Sequence, residues 1–285
     1  MILYISWERM KTMKINKTSD QEQLLIRHRF YAEETALRLD RKLCIKCEIC
    51  RTICPLEAVT FTDGTINIDE TKCSLCEVCG YLCPAGAISF TRNGSEKRIL
   101  ANSEGFPSFP PPLVINVEKC PPDCKKCEEA CPLDPKAIKV VGSGKIDVNK
   151  NCIRCIRCKE ACEDGAIKVN PLFRGRLKID VEKCPVNCDE CTKVCPTKTI
   201  EMKEGAKKVT YDEKYCVFCG ACKIVCPVPE AIKLQRSMIL SKDDGFSAAW
   251  TSAYEKLTGP INLESYYEFR SGRKLNEFLK KSKVV

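Results

Sequence analysis

The sequence has a single histidine, His28, in 285 residues. It stands in "LLIRHRFY", outside every cysteine group, which argues against histidine ligation of zinc or haem. There is no run of about 20 apolar residues, so no membrane span is expected. The opening "MILYISWERMKTMK" has a short apolar run followed by charges and no cleavage-site pattern, so the chain reads as cytoplasmic rather than secreted. "GSGK" at 142–145 lacks the full phosphate-loop spacing, and Ile146 follows the lysine. A hairpin turn is the better reading there. No constellation of catalytic side chains stands out, and no catalytic residue is assigned.

What the sequence does have is cysteine: 24 residues. Such density marks disulfide frameworks in short secreted domains, but in a chain of this kind it points to metal ligation. The cysteines fall into six sets of four, whose first members recur 29, 47, 32, 32 and 32 residues apart. A fixed period means one supersecondary unit used repeatedly. Five sets end in Cys-Pro (Pro55, Pro84, Pro132, Pro196, Pro227), and the other has Glu163. An apolar residue follows at a near-constant offset: Val59, Ile88, Ile138, Ile167, Ile200 and Ile232. Alanine precedes it everywhere except at Thr199. Short apolar runs around Asp63-Gly64, Gly142 to Gly144 and Glu204-Gly205 read as hairpins.

Each set reads C-x2/3-C-x2-C-x3-C. A tetrahedral zinc site takes two close ligands from one knuckle and two from another, whereas three thiolates this tightly spaced suit the separate corners of a cubane. The run with a terminal Cys-Pro is the bacterial ferredoxin signature for 4Fe–4S clusters, in which the fourth cysteine ligates the other cluster of a pair. The expected cofactors are therefore six 4Fe–4S clusters. In the first pair, one takes Cys44, Cys47, Cys50 and Cys83, and its mate takes Cys73, Cys76, Cys79 and Cys54. In the second pair the groups are Cys120, Cys124, Cys127, Cys162 and Cys152, Cys155, Cys158, Cys131. In the third they are Cys184, Cys188, Cys191, Cys226 and Cys216, Cys219, Cys222, Cys195. Sets three and five, "CPPDCKKC" and "CPVNCDEC", carry one extra residue in the first loop.

The formal charge of +9 looks at first like a nucleic-acid footprint. Each oxidised cluster with four thiolates contributes about −2, so six of them bring the loaded chain to about −3. The basic excess then reads as internal compensation, and no nucleic-acid partner is expected.

The six repeats resemble the polyferredoxins of anaerobic archaea. "EKCPPDCKKCEEACP", "EKCPVNCDECTKVCP" and the tail "GFSAAWTSAYEKLTG" more narrowly resemble the polyferredoxin subunit of formylmethanofuran dehydrogenase. That resemblance implies an electron-transfer subunit relaying low-potential electrons for CO2 reduction to formylmethanofuran. It implies molybdenum- or tungsten-pterin and ferredoxin subunits as partners, with the catalytic centres on those subunits. The alternative is a stand-alone or hydrogenase-associated polyferredoxin acting as carrier or reservoir.

The expected fold class is α+β, three tandem 2(4Fe–4S) ferredoxin-like modules with helical terminal extensions. The expected boundaries are 1–34 for the N-terminal extension, 35–92, 113–170 and 171–236 for the modules, 93–112 for a proline-rich linker, and 237–285 for the C-terminal extension. Residues 20–34 read as a short amphipathic helix, and 246–257 as a helix stopped by Gly259-Pro260. Arg154 and Arg157 lie between the cysteines of set four, where set five has Asp189 and Glu190. Reduction adds negative charge, so nearby cations raise a cluster's potential. Arg154→Ala and Arg157→Ala are expected to lower the midpoint of the set-four cluster in a redox titration; an unchanged or raised midpoint contradicts this.

Overall fold

The computed structural model describes residues 23–30, 33–62, 64–95, 105–142, 145–241 and 247–259. Among them one chain path occurs three times. An opening strand leads into a cysteine loop and a helix of about one turn. A hairpin follows, then a second cysteine loop and short helix, and a closing strand returns antiparallel to the opening one.

In the first unit, β1 (Gln23–Phe30) and β2 (Glu33–Asp40) lead into α1 (Ile49–Ile53), the hairpin β3 (Val59–Thr62) and β4 (Thr65–Ile68), α2 (Val78–Tyr81) and β5 (Ile88–Arg92). Strand β2 pairs with β5, with Leu37 opposite Phe90 and Leu39 opposite Ile88. The second unit runs β6 (Leu113–Ile115), α3 (Lys126–Glu129), β7 (Ile138–Val140), β8 (Ile146–Val148), α4 (Arg157–Glu160) and β9 (Ile167–Val169), with β6 on β9. The third runs β10 (Phe173–Ile179), α5 (Glu190–Val194), β11 (Ile200–Glu201), β12 (Thr210–Tyr211), α6 (Ala221–Val225) and β13 (Ile232–Ile239), with β10 on β13. Helices of four or five residues cannot persist alone in water. They form here because each buries the third cysteine of its set among apolar neighbours.

The expected turns are hairpins. Thr62 pairs with Thr65 across a two-residue turn, and Gly64 supplies the positive φ of 68° that such turns require. In "GSGK", the N–H of Val141 bonds the carbonyl of Lys145 at 2.7 Å and Gly142 has φ 70°, so the segment closes β7 onto β8. The near-constant apolar positions become buried strand residues: Val59, Ile88, Ile138, Ile167, Ile200 and Ile232 all face a core.

The helix expected over 20–34 is corrected. Gln23–Phe30 is a strand, so His28 lies on β1 opposite Thr35. The apolar cluster Leu24-Leu25-Ile26 fits a helical stripe and a strand equally well. Pairing with β2 decides, because β1 extends the β2–β5 sheet and buries Ile26 to 3% exposure.

Each unit has its own core, and a further core joins the first and third. Ile49, Ile53, Val78 and Leu82 pack there with Leu172, Phe173 and Ile239, and with Trp250, Ala253 and Leu257 of α7 (Ala248–Thr258). Helix α7 starts at Ser247, whose side chain accepts the Trp250 N–H at 3.1 Å, and stops at Gly259 with φ 84°. Phe246 and Pro260 of the expected helix lie outside the described residues. The described part of the proline-rich segment is bound into this core rather than spanning a gap. Phe106 and Phe109 ring-pack with Tyr81 and Trp250 at 5.0–6.2 Å, and the Tyr81 hydroxyl donates to the Pro107 carbonyl.

Trp250→Ala is expected to destabilise the loaded chain by about 3–5 kcal/mol, read as a lower denaturant midpoint, while Glu255→Ala on the exposed face stays within about 0.5 kcal/mol.

Candidate metal centres

In sets one, two, four and six the loop takes the left-handed conformation at two positions, just before and just after the second cysteine. The residues are Lys46 and Glu48, Leu75 and Glu77, Arg154 and Ile156, Phe218 and Gly220, with φ between 51° and 92°. Non-glycine residues seldom adopt positive φ, and a repeated cluster of them marks a functional constraint. The constraint is visible at the sulfurs. The backbone N–H of Lys46, Leu75, Arg154 and Phe218 is aimed at the thiol of Cys44, Cys73, Cys152 and Cys216, with Phe218 N at 3.3 Å from Cys216 Sγ. The lengthened loops of sets three and five have one such residue before the second cysteine, Asp123 or Asn187. The following residues, Lys125 and Asp189, have φ of −118° and −123°.

The periodic alanine has a second role beyond packing. The N–H of Ala58, Ala87 and Ala166 donates to the sulfur of Cys54, Cys83 and Cys162 at 3.3 Å, and Ala137 to Cys131 at 3.4 Å. In five sets the residue before the alanine or threonine has positive φ: Glu57, Gly86, Gly165, Lys198 and Glu230. Such donors stabilise a thiolate and tune a bound cluster. The sequence signal was present, an alanine (Thr199 in set five) at a near-constant offset after each fourth cysteine, but periodicity alone reads it as packing.

All 24 cysteines are free thiols. Each fourth cysteine lies in the electrostatic neighbourhood of the other set in its unit. Cys83 acts on Cys44, Cys47 and Cys50, and Cys54 on Cys73 and Cys79. Cys162 acts on Cys120, and Cys131 on Cys152 and Cys155. Cys226 acts on Cys184 and Cys191, and Cys195 on Cys216, Cys219 and Cys222. Two cavities open between these groups. One is lined by Cys54, Cys73, Cys76 and Cys79, the other by Cys131, Cys152, Cys155 and Cys158, with aliphatic side chains around both.

Burial, followed by crowding from Cys83 and Cys44, pushes the Cys50 thiol up to about 12. Burial also pushes Cys158 and Cys216 to about 12, and Cys155 and Cys191 to about 11. Thiols so placed do not ionise at neutral pH unaided; a cationic metal core between them would hold them as thiolates. A single tetrahedral zinc would bring its sulfurs to about 3.8 Å apart. No three His, Cys, Asp or Glu groups among the described residues are arranged to hold one ion. The donor set, four thiols around an apolar cavity with N–H groups aimed at sulfur, fits a 4Fe–4S cluster.

The two arginines of set four bind backbone carbonyls far away in the sequence, and one of them crosses to another unit. Arg154 donates to the carbonyls of Pro110 and Asn170 at 3.1 and 3.0 Å, and its charge acts on Cys152. Arg157 reaches the third unit, donating to Thr197 and Lys198 carbonyls at 2.7 and 2.8 Å and lying 4.5 Å from the centre of the Tyr215 ring. Asp189 and Glu190 pair with Lys193 at 2.8 Å, which offsets their negative charge. Glu163, standing where its neighbours have proline, pairs with Lys126 at 2.8 Å on the surface.

A family model described as a 4Fe-4S dicluster domain matches residues 151–199 and 183–229. A comparison with curated proteins gives no match. Among solved structures, the chain is similar to one in the formate dehydrogenase–heterodisulfide reductase–formylmethanofuran dehydrogenase complex from Methanospirillum hungatei. The two are 28% identical, with a TM-score of 0.73 over 85% of this chain and 90% of that one. The thiol sites and these two likenesses make this an iron–sulfur protein built of ferredoxin-like 4Fe–4S domains of small helices and strands.

Proposed function

We propose that the chain is a multi-cluster electron-transfer subunit with three tandem ferredoxin modules, each holding two 4Fe–4S clusters through exchanged fourth cysteines. The ligand groups are those set out from the sequence, and β1 extends the first module's sheet. When bound, the clusters supply one-electron transfer at low potential. The protein's own residues hold the sulfurs apart, direct backbone N–H groups at them and keep water from the inner faces. The carrying observation is the position of each fourth cysteine among the thiols of the other set. It makes two loops into one unit, so neither site can be complete without its partner.

The partner is a multisubunit oxidoreductase of the formylmethanofuran dehydrogenase kind, with the catalytic pterin centre on another subunit. The support is the likeness, over most of both chains, to a component of a complex containing that enzyme. Among the described residues no helix is long and apolar enough to cross a membrane.

The chain purified without oxygen is expected to hold about 24 iron and 24 sulfide. A colourless, iron-free chain isolated from its native source contradicts the reading. The double variant Cys44→Ala/Cys83→Ala separates the crossed pattern from an uncrossed one. Counted by Mössbauer spectroscopy, crossed ligation loses one cluster site; uncrossed ligation damages two. Co-purification from native extract tests the partner: an intact complex with pterin-containing subunits is expected, and a monomer without partners favours a free carrier.

A further inference from the structure

Strand β13 carries an arginine where its alternation turns inward. Lys233, Gln235 and Ser237 are exposed, whereas Leu234, Arg236 and Met238 are half-buried. A bulge sets this up: Arg174 pairs with Met238 but Gly175 pairs with Arg236, skipping a residue on β13. Gly175 is required there, since a Cβ would stand 2.2 Å from the Gln235 carbonyl oxygen and 3.1 Å from the Phe218 ring.

The Arg236 guanidinium is fixed at three points. Nε donates to the Phe218 carbonyl at 2.8 Å, and an Nη donates to the Cys219 carbonyl at 2.7 Å. The Phe173 ring centre lies 5.4 Å away. Gly220 makes room, since a Cβ on it would come within 3.2 Å of the guanidinium. At the matching loop position the other short loops carry Glu48, Glu77 and Ile156. Cys47 of the first unit and Phe218 of the third pack against the same core, which also contains Phe173. The thiol of Cys47 is influenced by Cys219, and the thiols acting on Arg236 are Cys47, Cys219, Cys216 and Cys222.

We propose that Arg236 is a positioning cation shared by two metal sites of different units, the Cys44/Cys47/Cys50/Cys83 site and the Cys195/Cys216/Cys219/Cys222 site, and that electrons pass directly between the first and third units at this seam. The proposal rests on the cluster reading above. An electron crossing the seam oxidises one site by one and reduces the other by one, with no bond made or broken and no proton moved. A fixed cation between the two favours the reduced state of each, whichever holds the electron. The path through the molecule is then not the order of the sequence: the first unit meets the third without passing through the second.

The test is a potentiometric titration, followed by electron paramagnetic resonance, of the full chain loaded with iron and sulfide. Arg236→Gln and Arg236→Met remove the charge, and Met keeps much of the side-chain volume. Each is expected to lower two midpoints and leave the others in place, while Arg236→Lys keeps both near the native values. In the Cys44→Ala/Cys83→Ala background, Arg236→Gln should lower only one. The proposal is overturned by no shift, by a single shift in the native background, or by two shifts that persist in the deleted background. It is also overturned if both neutral variants only unfold, which would make Arg236 a structural strut. A native chain that holds no iron overturns the cluster reading itself, a result separate from any of these.

Discussion

A buried thiolate must be compensated, and this constraint organises the whole molecule. Cys50, Cys79, Cys127, Cys158, Cys191, Cys219 and Cys222 are buried, and burial raises each of these thiols, so they would stay protonated without a cationic partner and N–H donors. The left-handed loop residues, the alanines Ala58, Ala87, Ala137 and Ala166 that donate to a fourth cysteine, and the strand-closed units all serve that need. The backbone bends against its preference so that its N–H groups point at sulfur. The short helices and strands around each loop are the minimum that fixes the bend.

The same constraint explains how a chain with so little regular structure holds together. Each unit's core is small and built partly of the cysteines themselves. Stability beyond that comes from seams. The aromatic group of Tyr81, Phe106, Phe109 and Trp250 closes the first unit against the third. Arg154 ties the second unit to the proline-rich segment, and Arg157 ties it to the third unit, both through carbonyl oxygens. Arginine suits this work because its planar, multiply donating head satisfies several acceptors without losing charge.

The cysteine sets, the hairpins and the C-terminal helix were legible because each rests on local pattern: ligand spacing, turn residues and apolar period. β1 was not, because Leu24-Leu25-Ile26 satisfies two periods and the choice is made by pairing with β2. The seams were not either. Arg157 touches carbonyls 40 and 41 residues away, and Arg154 one that is 44 away, which no local pattern records. Arg236 did leave a trace, a charge at an inward position of an otherwise alternating strand beside a loop with glycine at its second left-handed position. That trace acquires meaning only once Cys47 is known to lie across the seam.

The central claim is that the sites are shared between sets, each completed by a cysteine from the other. Anomalous X-ray scattering at the iron edge, from crystals of the anaerobically purified chain, tests it most directly. The account predicts iron density between Cys44, Cys47, Cys50 and Cys83, and equivalent crossed positions in the other pairs. Density centred within one set, with Cys54 beside Cys44, Cys47 and Cys50, would contradict it.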